Sequence, residues 1–180
     1  AVLVATSCEV FREPVPAHLG DDEMAVLGDF LEETFPGDGG FYCHLDPTAE
    51  FYDLDDLDDM SRLELPVSRS TVRDFVRRNR VPAPFSRKTE FGHGVRIDFD
   101  QEAIGLFGRG RDGWQLYYDK FAGGRGIAYV SRVGIDKSGT EALLYFKKSV
   151  HWLGGSGHYV LLRWKDGRWS EVGRQQLWVS

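Results

Sequence analysis

The first strong periodic pattern of apolar residues lies in the stretch DDEMAVLGDFLEETFPG, residues 21 to 37. The apolar positions that recur there at helical spacing are Met24, Leu27, Phe30, Leu31 and Phe35. Asp21 or Asp22 is available as the N-cap, and Pro36-Gly37 provides a stop. The pattern predicts an amphipathic helix that packs on the core.

The middle of the chain mixes helical and strand patterns. Residues 37 to 66 are rich in aspartate and glycine, and their spacing predicts a loop or a short helix. A short surface helix is predicted within residues 68 to 84, SRSTVRDFVRRNRVPAP. Its cap candidate is Ser70, its apolar stripe consists of Val72, Phe75 and Val76, and the two prolines end it. GVRIDFD (94 to 100) alternates like a half-buried strand, and DGWQLYYDKF (112 to 121) returns to helical spacing.

From Gly126 onward the pattern is that of β-hairpins separated by turn residues. The predicted strands are GIAYVSRVGI, TEALLYFKKSV, HYVLLRW and RWSEVGRQQLWVS. The predicted turns are residues 136 to 139, the glycine stretch 154 to 157, and Asp166-Gly167, which suits a two-residue type I′ loop. These elements predict a four-stranded antiparallel β-meander with one face on the core.

Length and composition indicate one folded domain. A chain of 180 residues with 42% hydrophobic and 13% aromatic residues is long enough to bury one core. No run of about 18 apolar residues occurs, so no membrane span is predicted. The expected fold class is α+β, with N-terminal and central helices packed on the C-terminal meander, as in an NTF2-like or cystatin-like curved sheet wrapped on a helix.

Charge is distributed unevenly along the chain. Residues 1 to 60 hold 16 of the 28 acidic residues and one base, Arg12, whereas residues 61 to 180 carry a net charge of +9. The acidic segment either faces the basic remainder or presents an acidic surface to a cationic partner, and we favour the outward arrangement. The overall net charge of −6 disfavours nucleic acid as a partner, despite the basic stretch from Arg69 to Lys88.

The stretch VHWLGGSGHYVLLRW (150 to 164) invites a phosphate or metal interpretation. A phosphate cradle needs a helix after the glycine loop, whereas a strand is predicted here. His151 and His158 flank the loop, and a hairpin there would allow them to approach each other, but no third ligand completes a zinc site. We therefore predict a structural turn.

Other candidate chemistry lacks its sequence context. Ser131 and Ser156 have no nucleophile elbow, and DLDDLDDM (53 to 60) departs from the EF-hand pattern at Leu57 and Asp58. The aromatic residues that fit either a core or a pocket for a flat ligand are Trp114, Tyr117, Tyr118, Trp152, Trp164, Trp169 and Trp178, of which Trp152 lies beside the loop tip. No catalytic, cofactor-binding or metal-binding residue and no cofactor is predicted.

The C-terminal part resembles a family of uncharacterised, mostly exported bacterial proteins. The resemblance is carried by VSRVGID (130 to 136), EALLYF (141 to 146), GGSGHYVLLRWKDGRW (154 to 169) and the closing WVS, and it extends over about residues 70 to 180. Members often have a cysteine pair around the Gly-x-Gly turn, which residues 150 to 154 lack. The resemblance implies a setting and a fold but no activity.

The domain is therefore described as one unit, residues 1 to 180. Residues 1 to 10 are interpreted as a leader remnant with Cys8 as a candidate lipid-anchor site, residues 11 to 69 as an acidic helical and loop region, and residues 70 to 180 as the family-like region. Cys8 and Cys43 permit one disulfide or two free thiols.

The expected function is a non-catalytic binding or interaction module that acts on an unknown protein or small-molecule ligand. It is expected in the periplasm or outside the cell, with the cytoplasm as the other setting. Two alternatives remain open: a small hydrolase or isomerase with a site in the sheet concavity, and an inhibitor or immunity-type protein that presents its acidic surface to a basic partner.

Overall fold

Helices cover both faces of one main sheet in the computed structural model, which describes residues 14–37, 42–51, 60–109 and 112–180. In chain order the elements are α1 (Asp21–Thr34), β1 (Tyr42–Leu45), β2 (Thr48–Ala49), α2 (Arg69–Asn79), β3 (Ala83–Pro84), β4 (Val95–Ile97), α3 (Gly113–Lys120), β5 (Gly124–Val130), β6 (Gly134–Ile135), β7 (Glu141–His151), β8 (Gly154–Lys165) and β9 (Arg168–Val179). The α+β fold class is confirmed. None of the described helices is long and apolar enough to cross a membrane.

The main sheet has the strand order β4-β1-β5-β7-β8-β9, and β6 pairs with β7. Strands β5, β7, β8 and β9 form an antiparallel meander, as predicted, except that the first predicted strand, residues 126 to 135, is divided into β5 and β6 by residues 131 to 133. However, β1 pairs in parallel with both β4 and β5, so the sheet is mixed and larger than the four strands expected. The interpretation of residues 37 to 66 as loop or short helix was wrong at Tyr42–Leu45. All four residues of β1 are buried, and so short a buried run carries no periodicity.

The two faces of the sheet bury different clusters. On one face, Ala128, Phe146 and Val160 pack with α1. On the other face, Leu143 and Tyr159 pack with Phe75 of α2, while Ile127 packs with Tyr117 of α3. The expectation of a single buried face and a sheet wrapped on one helix was therefore wrong. Because helices lie on both sides, neighbouring residues such as 143 to 146 are all apolar.

The helix starts differ from the predicted caps. Gly20 is the N-cap residue of α1, and the Glu23 carboxylate accepts a hydrogen bond from the Gly20 backbone N–H at 3.2 Å. In α2, the Ser68 hydroxyl accepts from the Thr71 N–H at 3.3 Å, so Ser68 and not Ser70 is the cap. Both helices still begin within two residues of the predicted positions, because serine and acidic residues satisfy free N–H groups wherever the chain enters the helix.

The connection between β5 and β6 is built around a fully buried arginine. Arg132 is 1% exposed and Glu23 of α1 is 0% exposed. The Arg132 Nη2 and Nε atoms lie 2.7 and 3.1 Å from the two Glu23 carboxylate oxygens. The remaining donors reach the carbonyl oxygens of Pro16, His18 and Val81. All five guanidinium N–H groups are thus satisfied, which a buried charge requires.

The residues on either side of Arg132 have equally specific contacts. Ser131 exchanges hydrogen bonds with the backbone of Tyr145 on β7. A Cβ atom at Gly134 would overlap the backbone of Phe75, so α2 lies directly on β6. The Ser-Arg-Val-Gly sequence therefore ties the sheet to α1 and α2 at one place.

Part of the charge asymmetry is matched inside the domain. Arg78 of α2 lies 2.9 Å from Asp22 and 3.1 Å from Glu23, and Arg168 lies 3.8 Å from Glu33. Acids of α1 thus face bases of the second part of the chain. The densest acidic stretch, at residues 53 to 59, lies outside the described residues.

Replacement of Arg132 by methionine should destabilise the fold strongly. The change leaves the Glu23 carboxylate buried without its main partner, and such losses cost about 3 kcal/mol or more. The free energy of unfolding in urea measures the effect. Arg168→Met is the control, because its ion pair is about half exposed and should contribute less than about 1 kcal/mol. Equal losses in the two variants would contradict a structural role for the buried pair.

The Asp166-Gly167 turn is confirmed, with φ values of 53° and 84°. Because nothing lies within 4 Å of a Cβ at Gly167, Gly167→Ala should cost about 1 kcal/mol through backbone strain alone. Gly28→Ala is the matched control, since position 28 is inside α1 and also has open space. The control should stabilise the fold by about 0.5 kcal/mol or more, because alanine is the better helix former. Thermal melts of both variants that shift in the same direction would contradict the turn geometry.

Candidate functional site

The glycine stretch has a different role from the predicted turn. Residues 154 to 157 form the first part of β8, and the turn of the β7–β8 hairpin is Trp152-Leu153. Glycine in a strand marks a place where another group approaches the backbone closely. Here that group is the indole ring of Trp178 on β9.

Trp178 lies across the glycines of β8. A Cβ at Gly157 would overlap the Trp178 Nε1 and Tyr145 hydroxyl atoms, and a Cβ at Gly155 would lie 3.2 Å from the Trp178 ring. In the space that Gly157 leaves open, the Trp178 Nε1–H donates a hydrogen bond to the Tyr145 hydroxyl at 3.0 Å. The two glycines are therefore a floor on which Trp178 is held flat.

A lysine lies beside this ring in the same cross-strand row. The register places Tyr129 of β5 opposite Lys147 of β7, Lys147 opposite Gly157, and Gly157 opposite Trp178. The Lys147 Nζ atom is 4.9 Å from the Tyr129 ring centroid and 5.8 Å from that of Trp178. We call Tyr129, Lys147 and Trp178, with Gly155 and Gly157 beneath, the lysine–aromatic row.

The row is half-buried between the two helices of its face. Tyr129 packs against the cluster around α3, and Tyr145 belongs to the cluster around α2. Burial lowers the pKa of Lys147. Burial also raises the pKa of the Tyr129 hydroxyl, and the charges of Asp46 and Asp98 add to that effect. The row thus combines a positive charge with two flat rings in a partly desolvated place, where cation–π contacts are strongest.

The histidines singled out in the sequence do not meet. His151 pairs with Gly154 at the hairpin tip, whereas His158 pairs with Phe146 on the face covered by α1. Burial lowers the pKa of His158. A hairpin turn at 154 to 157 would have allowed the two to approach each other, but the turn lies at 152 and 153 and His158 is several residues into β8. Within the described ranges, no group of three or more His, Cys, Asp or Glu side chains could hold a metal ion.

The remaining candidates have structural contacts. Cys43 is a free, buried thiol that donates to the Gly126 carbonyl at 3.2 Å, and burial raises its pKa to about 12. His44 is 5% exposed, and its Nδ1 lies 2.9 Å from the Tyr117 hydroxyl. Ser131 is fully buried and bonded to backbone. Cys8 and residues 53 to 59 lie outside the described residues.

A cavity lies at the β4 edge of the sheet, away from the lysine–aromatic row. Its volume is about 920 Å³, and its lining includes Arg87, His93 and Arg96. Arg87 is 72% exposed and pairs with Asp100 at 3.0 Å, while the Arg96 guanidinium stacks on the Tyr42 ring at 3.4 Å. These charges are largely solvated, so they would bind a ligand more weakly than the half-buried Lys147.

Sequence inspection missed Lys147, Tyr129 and Tyr145 as a group. The only local signal was the polar pair in YFKKSV, which interrupts a buried strand. Alternation places Lys147 on one face and Lys148 on the other, but only the strand pairing shows that Lys147 faces Tyr129 and Trp178.

Gly157→Ala should displace the Trp178 ring and break its bond to Tyr145. Overpacking of this kind costs about 1 to 3 kcal/mol. The indole N–H signal of Trp178 in an NMR spectrum, assigned with Trp178→Phe, reports the broken bond, and urea unfolding reports the cost. Ser156→Ala, on the adjacent residue, is the control and should leave both readouts unchanged. An unshifted indole signal in Gly157→Ala would show that the glycine floor does not hold the ring.

Comparison with protein-family models, with curated proteins and with solved structures finds no match to this chain. The lysine–aromatic row and its surroundings are therefore the basis on which function is inferred.

Proposed function

We propose that this domain is a non-catalytic binding module whose ligand is a small organic anion with a flat apolar part, bound at the lysine–aromatic row. The observation that carries the proposal is the position of Lys147 between the rings of Tyr129 and Trp178, above a floor of two glycines. Lys147 would recognise the negative charge of the ligand, and the two rings would bind its flat apolar part.

Lys147 supplies the charge that recognises the anion. Its ammonium group carries three donors on a flexible stem, and a half-buried charge attracts an anion more strongly than a solvated one. Since burial lowers the pKa of Lys147, the charge is lost at a lower pH than for an ordinary lysine. As the pH is raised, anion binding should therefore weaken at a lower pH than it would at a site with an ordinary lysine.

The two rings supply the apolar surface. Trp178 is fixed by its bond to Tyr145 and by the glycine floor, so little side-chain freedom remains to be lost on binding. Tyr129 is held by the α3 cluster on the other side of Lys147. A flat group of the ligand would stack on these rings while its anionic group meets the ammonium.

The hydrolase or isomerase alternative has less support. Such chemistry needs acid and base groups that converge in one pocket. The five described histidines are dispersed instead. His18 lies before α1, His44 under Tyr117, His93 in the loop before β4, His151 at the hairpin tip and His158 on the opposite face. This dispersion favours binding over catalysis.

The inhibitor or immunity-type alternative depends on an acidic surface. Among the acids of α1, Asp22, Glu23 and Glu33 have bases of the same chain as partners. Their charge is thus at least partly matched before any partner arrives, which lowers the attraction for a basic protein. We place the ligand site on the sheet for this reason.

We also propose an extracytoplasmic setting, in the periplasm or outside the cell. It is supported by the resemblance of residues 70 to 180 to mostly exported proteins. Cys43 adds nothing to it, because the thiol is free and buried.

The test is binding of small anions observed by NMR saturation transfer. We expect benzoate and indole-3-acetate to bind, and benzyl alcohol, which lacks the charge, to bind more weakly. Lys147→Met should weaken benzoate binding about tenfold or more, because a hydrogen bond to a charged group contributes about 1.5 kcal/mol or more. Raising the pH should reduce the affinity of the unmodified protein but not that of Lys147→Met.

Lys148→Met is the matched control. Lys148 is the next residue of β7, but its Nζ lies 5.0 Å from the Phe35 ring on the opposite face. This variant should keep full affinity, and circular dichroism checks that both variants are folded. Equal weakening in the two variants, or benzyl alcohol binding as well as benzoate, would refute recognition by Lys147.

A further inference from the structure

Exposed apolar side chains are concentrated at one end of the sheet. Nine large hydrophobic residues are exposed in the described part of the chain. Six of them lie at the β7–β8 hairpin tip, at the end of β9, and at the one α3 residue that is hydrogen-bonded to the tip: Val150, Trp152, Leu153, Leu177, Val179 and Tyr118. Single exposed apolar residues are ordinary on a protein surface, whereas a group at one end marks an interaction site.

The two residues of the hairpin turn are the most exposed part of this group after Val179. Trp152 is 56% exposed and Leu153 is 57% exposed. The end of β7 next to the turn is anchored, because the Tyr118 hydroxyl of α3 donates to the Val150 carbonyl at 2.6 Å. The turn therefore extends Trp152 and Leu153 from a fixed base.

The strands that carry the tip are positively charged. No acidic residue occurs between Glu141 and Asp166, the whole length of the hairpin strands. Lys147 and Lys148 precede the tip on β7, and Arg125 is the second residue of the adjacent strand β5. Gly126 packs against Val150, which places Arg125 beside the tip.

We propose that the hairpin tip binds the surface of an anionic lipid bilayer, with Trp152 and Leu153 inserted at the level of the headgroups. Tryptophan favours this interface because its ring is apolar and its N–H is polar, and basic residues are attracted to anionic headgroups. A protruding two-residue turn fits a fluid interface without a complementary groove, which a protein partner would have to supply. The proposal does not rest on ligand binding at the lysine–aromatic row.

The test is sedimentation of the full chain with vesicles. Binding is expected to phosphatidylglycerol vesicles, to be weaker with phosphatidylcholine, and to decrease as salt is added. The double variant Trp152→Ser/Leu153→Ser should lower the partition coefficient about tenfold or more, since burial of one such side chain contributes about 1.5 kcal/mol or more. Trp164→Ser is the control, because Trp164 is 46% exposed at the other end of β8.

Fluorescence quenching by the lipid is a second readout, and it uses protein in which Trp152 and Leu153 are not mutated. Brominated phosphatidylglycerol should quench tryptophan fluorescence of both the unmodified protein and Trp164→Ser to a similar extent. The proposal is overturned if the unmodified protein does not sediment with anionic vesicles, or if the folded double variant sediments as well as the unmodified protein. It is also overturned if the tip changes alter only self-association in ultracentrifugation, which would assign the tip to a second copy of the chain.

Discussion

The ion pair of Arg132 and Glu23 is the interaction on which the arrangement of helices and sheet depends. The two residues are 109 positions apart in the chain, and both are buried. Isolated buried charges cost several kcal/mol, so the pair is tolerated only because every guanidinium donor has an acceptor. Those acceptors come from α1, from the segment before it and from the segment after α2. One side chain thus fixes the position of three parts of the chain relative to β5 and β6.

That fixed frame determines what each face of the sheet can do. Since α1 is held against one face, this face is filled by a continuous apolar cluster. The opposite face is divided between α2 and α3, and Tyr129 and Lys147 lie between the two clusters. Polar and aromatic groups remain accessible there because neither helix covers the middle of the sheet completely. The candidate site is therefore a consequence of how the helices divide this face.

The proposed ligand site and the proposed membrane contact belong to one hairpin. Lys147 and Gly157 lie on its two strands, and Trp152 and Leu153 form its turn. The glycines that make room for Trp178 still pair with β7, with one register irregularity between Ser149 and His151, directly before the turn.

Local sequence patterns determined the three helices, the four strands of the meander and the Asp166-Gly167 turn, because helical spacing, alternation and turn chemistry act between residues close in the chain. Tertiary structure alone decided that Tyr42–Leu45 is a central parallel strand, that both faces are buried, and that residues 154 to 157 are a floor and not a turn. It also decided that Lys147 meets Tyr129 and Trp178. These features depend on pairing between distant strands and on the buried contact of Arg132 with Glu23, and no local pattern encodes the partner of a buried group.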